Sequence, residues 1–201
     1  MAKVYKAKLL GNEGIEMQTG KARLSFPHLF EKYKEPNGDE GKYQCTLLID
    51  KDDKATASVM KKAIEAAKES GKSSKWNGKI PGSLKLPCRD GDDSEYDEYE
   101  GTWSLSAKSN SKPKVTDVDG DELFDQEDIY PGCYVRAVLK FLPYDNSGKG
   151  ITCVLERIQK IEDGDPLGGS GSGSDFEDDD EDLEDDDDDE DLEDDDDDED
   201  L

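Results

Sequence analysis

The sequence predicts a mainly β fold: a small barrel with long loops and one α-helix packed on it, followed by a flexible linker and an unstructured acidic arm. Three observations carry this expectation. Five separated stretches alternate apolar and polar residues, one segment repeats its apolar residues at helical spacing, and residues 175–201 are almost purely Asp and Glu.

The alternation has the two-residue period that sends successive side chains to opposite faces of a strand. Ala22, Leu24 and Phe26 alternate with Lys21, Arg23 and Ser25 in the first series. Tyr43, Cys45, Leu47 and Ile49 form the second, and Trp103, Leu105 and Ala107 the third. The fourth runs through Cys133, Val135, Ala137, Leu139 and Phe141, with Tyr134, Arg136 and Lys140 opposite, and the fifth through Ile151, Cys153 and Leu155. On this pattern Phe26, Trp103 and Phe141 belong to the core. Between the second and third series, residues 54–70 place Val59, Ala63 and Ala67 on one helical face beside Met60 and Ile64. Asp52 or Asp53 suits its N-cap, and Gly71 suits a left-handed residue that ends it. Five or more strands and one helix make a barrel with a helix on its surface. The long polar connections at 71–82 and 108–132 are where binding loops are expected.

The C-terminal arm cannot fold alone. Only Phe176, Leu183, Leu192 and Leu201 interrupt its 23 carboxylates, so it has little apolar surface to bury and its charges repel at every spacing. Its last 18 residues write one nine-residue acidic unit twice, which is low complexity and not a structural repeat. Glycines and serines at 168–174 make a flexible link, and from Asp163 onward roughly 12 residues span about 20 Å. The arm is therefore expected to reach back to its own domain.

Charge also separates along the chain. The protein has 53 Asp and Glu against 26 Lys and Arg, a formal net charge of −27. Without the arm's 23 carboxylates the body keeps 30 acids and a net charge of −4. Residues 90–100 and 117–128 each hold seven of those acids and no Lys or Arg, which leaves 16 acids against 26 basic residues elsewhere. A basic face is thus compatible with an acidic protein, because a phosphate backbone responds to the local field. The basic residues interleave with aromatics: Lys21, Arg23, Phe30, Lys32, Tyr33 and Lys34; Lys75, Trp76 and Lys79; and Lys108, Lys112 and Lys114. Cations that follow phosphates and rings that stack on bases are what a sequence-tolerant binder of single strands needs.

Other chemistries fit poorly. Cys45, Cys88, Cys133 and Cys153 are scattered, with no Cys-x-x-Cys pair and only His28 to assist, so reduced thiols are expected and zinc is not. Asp117, Asp119 and Asp121 resemble a calcium loop, but Glu122 stands where its glycine is required. Asp90, Asp92, Asp93 and Glu95 could hold two magnesium ions for a nuclease, yet no His or Lys motif accompanies them. No Walker loop or nucleophile elbow is present. No enzyme and no cofactor are expected, and neither a signal peptide nor a membrane span.

Six short motifs occur in order: Ala22-Arg23-Leu24-Ser25-Phe26-Pro27-His28-Leu29-Phe30, Trp76-Asn77-Gly78-Lys79, Leu86-Pro87-Cys88-Arg89-Asp90-Gly91-Asp92, Tyr130-Pro131-Gly132-Cys133-Tyr134-Val135, Lys149-Gly150-Ile151 and Ile158-Gln159-Lys160. Together they resemble the single-stranded-DNA-binding proteins of tailed bacteriophages, a family formerly known as a domain of unknown function. The resemblance implies an oligonucleotide-binding (OB) barrel over residues 1–162, a linker at 163–174 and the arm at 175–201. It implies non-catalytic coating of single-stranded DNA in phage replication or recombination, in the cytoplasm of the infected bacterial host. Expected partners are single-stranded DNA, replication or recombination proteins docked by the arm, and a second copy of the chain in a homodimer. The candidate DNA-binding residues are Lys21, Arg23, Phe30, Tyr33, Lys75, Trp76, Lys79, Arg89, Lys108, Lys112, Lys114, Tyr134 and Arg136. The arm departs from the family pattern by its length and by ending in Leu201, where many such tails end in an aromatic residue. The alternative is an acidic chaperone or DNA mimic that binds basic proteins through the arm.

Overall fold

The computed structural model describes residues 4–168; the acidic arm and the second half of the linker lie outside the described residues. In chain order the elements are β1 (Lys8–Leu10), β2 (Glu16–Gln18), β3 (Ala22–His28), β4 (Tyr43–Asp50), α1 (Lys54–Ser74), β5 (Cys88–Asp90), β6 (Thr102–Ser109), β7 (Lys114–Thr116), β8 (Tyr134–Tyr144) and β9 (Gly150–Glu162). All five expected strands are present as β3, β4, β6, β8 and β9, and these close on themselves. β3 pairs antiparallel with β4 and with β8, β4 with β6, and β8 with β9. A parallel step from β6 to β9, at Lys108 opposite Val154, completes the ring. This is the five-stranded, partly open OB barrel.

The barrel opens where β6 and β9 diverge, and residues 84–90 fill the gap. Lys85 bridges to Gly150 in β9, while Cys88, Arg89 and Asp90 pair with Leu105, Ser104 and Trp103 in β6. Alternation puts Leu47, Ile49, Leu105, Ala107, Leu139, Phe141 and Leu155 fully inside. Cys45 and Cys153 are buried with them as free thiols, and burial pushes Cys45 up to about 12, so both act as small hydrophobes.

Helix α1 covers one face of the barrel through Met60, Ala63, Ile64 and Ala67. Its N-cap is Asp53, whose carboxylate accepts from Thr56 N–H at 2.9 Å. Gly71 does not end it as expected: the helix continues to Ser74, and Gly71 is buried within it. A Cβ there would lie 2.7 Å from both Pro143 and Trp76, so the glycine serves close packing. The four short strands β1, β2, β5 and β7 have too few residues to show alternation, and the sequence reading missed them.

Candidate nucleic-acid interface

Strands β4 and β6 turn Thr46, Ser104 and Ser106 outward between their buried neighbours, and these short hydroxyl side chains leave room above the sheet. They floor an open cleft of about 1410 Å³. Sheet order places β3 on one side of this floor and β9 on the other. On the β9 side the wall is built by Lys85, Leu86, Pro87 and Arg89 with Tyr144, Asn146, Ser147 and Thr152. Ser147 and Gly148, with φ of 57° and 106°, turn the chain between β8 and β9 there. Lys42 and Lys108 stand at the end of the floor where β4 begins and β6 finishes. In OB barrels the face of the second and third strands, with the loops that border it, is where oligonucleotides bind.

The opposite wall is aromatic. Phe26 is 50% exposed, and its ring centroid lies 5.4 Å from that of Tyr96, itself 43% exposed. Tyr96 continues at 5.2 Å to Tyr99, which is buried and donates its hydroxyl to Ser25 Oγ at 2.9 Å. Burial raises the Tyr99 phenol's pKa, so it remains a neutral donor. The expectation that Phe26 fills the core is overturned by the backbone. Pro27 has no N–H to give to β4, the register shifts between Ser25 and His28, and Phe26 takes a φ of 45°. Ser25 turns inward in its place and Phe26 faces the cleft. A left-handed non-glycine costs on the order of 1–3 kcal/mol and persists where its surroundings enforce it, often at functional sites.

The segment carrying Tyr96 and Tyr99 is one of the two acidic stretches, and it is held by its own charges. Lys51 Nζ lies 2.5 Å from carboxylate oxygens of both Asp90 and Asp92, and Asp92 also accepts from Gly101 N–H at 2.7 Å. An ammonium thus stands where a nuclease reading of these acids would need metal. Gly91 is required at the crossing, since a Cβ would come within 2.1 Å of the Tyr99 carbonyl. Hydrogen bonds to Lys51 hold the Asp90 and Asp92 carboxyls below their usual range and raise Lys51. Depressed carboxyls stabilise above the unfolded value of about 3.9 and lose that as pH falls through their lower folded values. Lys51→Met is therefore expected to speed hydrogen exchange at the Asp92 and Gly101 amides at pH 7 and to weaken oligonucleotide binding. The variant and the parent should converge as pH falls through the lowered folded values of these two carboxyls.

Of the residues expected to bind DNA, the structure brings Arg89 and Lys108 into the cleft. Phe30, Tyr33 and Lys112 lie at its Lys42–Lys108 end: Lys112 sits 5.4 Å over the Phe30 ring, and Tyr33 N–H donates to the Lys42 carbonyl. Trp76 is corrected outright. It is 3% exposed and donates its indole N–H to the Tyr144 carbonyl at 3.2 Å, so it supports the β8–β9 turn from behind and offers no face to a base. Lys75 and Lys79 are exposed in the turn after α1 and do not line the cleft.

Lys21, Arg23 and Tyr134 gather at the β3–β8 seam, where they bind the chain's own C-terminal segment. Arg23 donates to the Asp165 carbonyl at 2.6 Å and to the Gly132 carbonyl at 3.3 Å. Lys21 pairs with Glu162 and lies 3.9 Å over the Tyr134 ring. Lys114 and Arg136 line a separate depression of about 180 Å³ beside Arg157. The loops at 71–82 and 108–132 contribute only Lys108 to the cleft. Residue 117 explains part of the second loop: its carboxylate accepts from the N–H groups of Asp119, Gly120 and Asp121 and folds a tight acidic turn.

Comparison with known proteins identifies the family and the fold. A family model described as the ssDNA-binding protein of Enterobacter phage Enc34 matches residues 15–192. The chain is 34% identical over 170 residues to the putative protein p50 of Acyrthosiphon pisum secondary endosymbiont phage 1, covering 80% of this chain and 90% of that one. The structure of the single-stranded DNA-binding protein from bacteriophage Enc34 in complex with ssDNA is similar with a TM-score of 0.69 at 30% identity, over 84% of this chain and all of that one. The bacteriophage T7 single-stranded DNA-binding protein gp2.5, at 16% identity and a TM-score of 0.53 over 78% of this chain and 91% of that one, shares the fold. With a matched core that includes both walls of the cleft, the chain belongs to the phage Enc34 ssDNA-binding protein family.

Proposed function

We propose that the cleft holds single-stranded DNA without catalysis and with little sequence preference, in phage DNA replication or recombination inside the infected host. The observation that carries this reading is the exposed Phe26–Tyr96 pair facing a wall of Lys85 and Arg89 across a floor of hydroxyls. Rings accept any base by stacking, and cations follow phosphates without reading sequence. The solved Enc34 complex with ssDNA supports the same ligand. The acidic arm competes with DNA for this cleft and, once displaced, docks replication or recombination proteins; both parts of that role rest on its charge and its tether.

A titration with fluorescent oligothymidine tests the reading. Log affinity is expected to fall linearly with log salt at a slope of about −0.7 per neutralised phosphate. Four cations line the cleft, Lys42, Lys85, Arg89 and Lys108, so a slope of about −3 is expected from the cleft alone. A salt-independent signal, or none, would count against DNA as the ligand. Binding only to basic proteins would instead favour an acidic chaperone acting through the arm.

A further inference from the structure

The cleft is polarised in charge, and this bears on how a strand lies in it and which nucleic acids it refuses. Three carboxylates line it along with its four cations: Asp90, Asp93 and Glu95. Asp90 is matched by Lys51. Asp93 and Glu95 are exposed, and neither pairs with a cation among the described residues. Glu95 adjoins Tyr96 in the aromatic wall and Asp93 lies two residues before Glu95, so uncompensated negative charge accompanies that wall, while Lys85 is bridged to β9 on the far side of the floor.

We propose that Asp93 and Glu95 are specificity-determining residues that set the strand's orientation and exclude duplex. This deepens the DNA-binding reading above and rests on it. A single strand satisfies both walls by laying its phosphates toward Lys42, Lys85, Arg89 and Lys108 and its uncharged bases on Phe26 and Tyr96. The opposite placement would bring phosphates against two unpaired carboxylates. A duplex has no favourable placement, because its bases are turned inward and the second phosphate chain would face Asp93 and Glu95. Repulsion at this range is local, since screening limits exposed charges to about 8–10 Å.

The test compares the full chain with D93N/E95Q and with a charge-matched control, E127Q/D128N, whose side chains are exposed and outside the cleft. Each is titrated with oligothymidine, with an abasic oligomer of the same length and with a blunt duplex. In D93N/E95Q, affinity for the abasic oligomer and the duplex is expected to rise about three- to tenfold, with oligothymidine changing less than about twofold. The control should shift all three equally. If D93N/E95Q also strengthens the three ligands by one common factor, the carboxylates are ordinary surface charge and the proposal fails while DNA binding stands. If the unaltered protein does not bind oligothymidine, the DNA-binding reading fails and the proposal with it.

Discussion

Alanine at both Phe26 and Tyr96 is expected to weaken oligothymidine binding about 30-fold or more while leaving the salt slope unchanged. Stacking of one base on one ring is worth about 1–3 kcal/mol, which is roughly five- to 150-fold. The two rings touch each other at 5.4 Å, so their effects should not add fully. Phe26→Gly separates binding from folding. Glycine adopts a positive φ without strain, so this variant should be as stable as the parent or more so, and still bind weakly. Trp76→Ala should behave in the opposite way. It removes a buried ring, at about 3–5 kcal/mol of stability, and reaches the cleft only through the Tyr144 turn it supports. Equal losses of affinity and stability in Phe26→Gly would place that ring in the core and not at a binding surface.

These two aromatics also show which part of the site could be read from the residues. The five barrel strands and the helix were legible because burial on one face writes its period directly into the chain: Cys45, Leu47 and Ile49 inward, Thr46 outward. Alternation assumes an unbroken ladder, and β3 breaks it at Pro27. That proline was the available signal that Phe26 would leave the core, since it cannot donate to a neighbouring strand. Trp76 failed for the converse reason. Its polar neighbours Lys75 and Lys79 read as a loop surface, but the space left by Gly71 and the Tyr144 carbonyl, 68 residues along the chain, draws the indole inward. Tyr96 was hidden by its surroundings. A stretch with seven carboxylates looked like the last place for a DNA contact, and only the Lys51 clasp and the Tyr99–Ser25 hydrogen bond show that it is folded over the cleft. The basic residues divide likewise. Arg89 and Lys108 reach the cleft, while Arg23 is occupied by carbonyls of its own chain, a partnership between residues 142 apart that no local pattern records.

That occupied arginine sharpens what removing the acidic arm should do. Arg23 holds Asp165, Tyr130 holds Gly164, and Leu167 N–H donates to the Pro131 carbonyl at 2.9 Å, so the chain is fastened to the β3–β8 seam until residue 167. Phe26 lies three residues beyond Arg23 in β3, about 10 Å along the strand. Seven Gly and Ser residues separate Leu167 from Asp175 in the sequence. Under the competition proposed above, a tether of this length would give an effective concentration of order millimolar, enough for many weak carboxylate contacts to rival DNA. Truncation after Ser174 is therefore expected to tighten oligothymidine binding about tenfold at low salt, with the gain shrinking as salt screens both polyanions. The cut must respect the fastening. Ending the chain at Glu162 would also strip the partners of Arg23 and Tyr130, so that variant should lose thermal stability while the 174-residue one keeps it. Unchanged or weaker affinity in the stable truncation would separate the arm from the cleft and leave partner docking as its sole role.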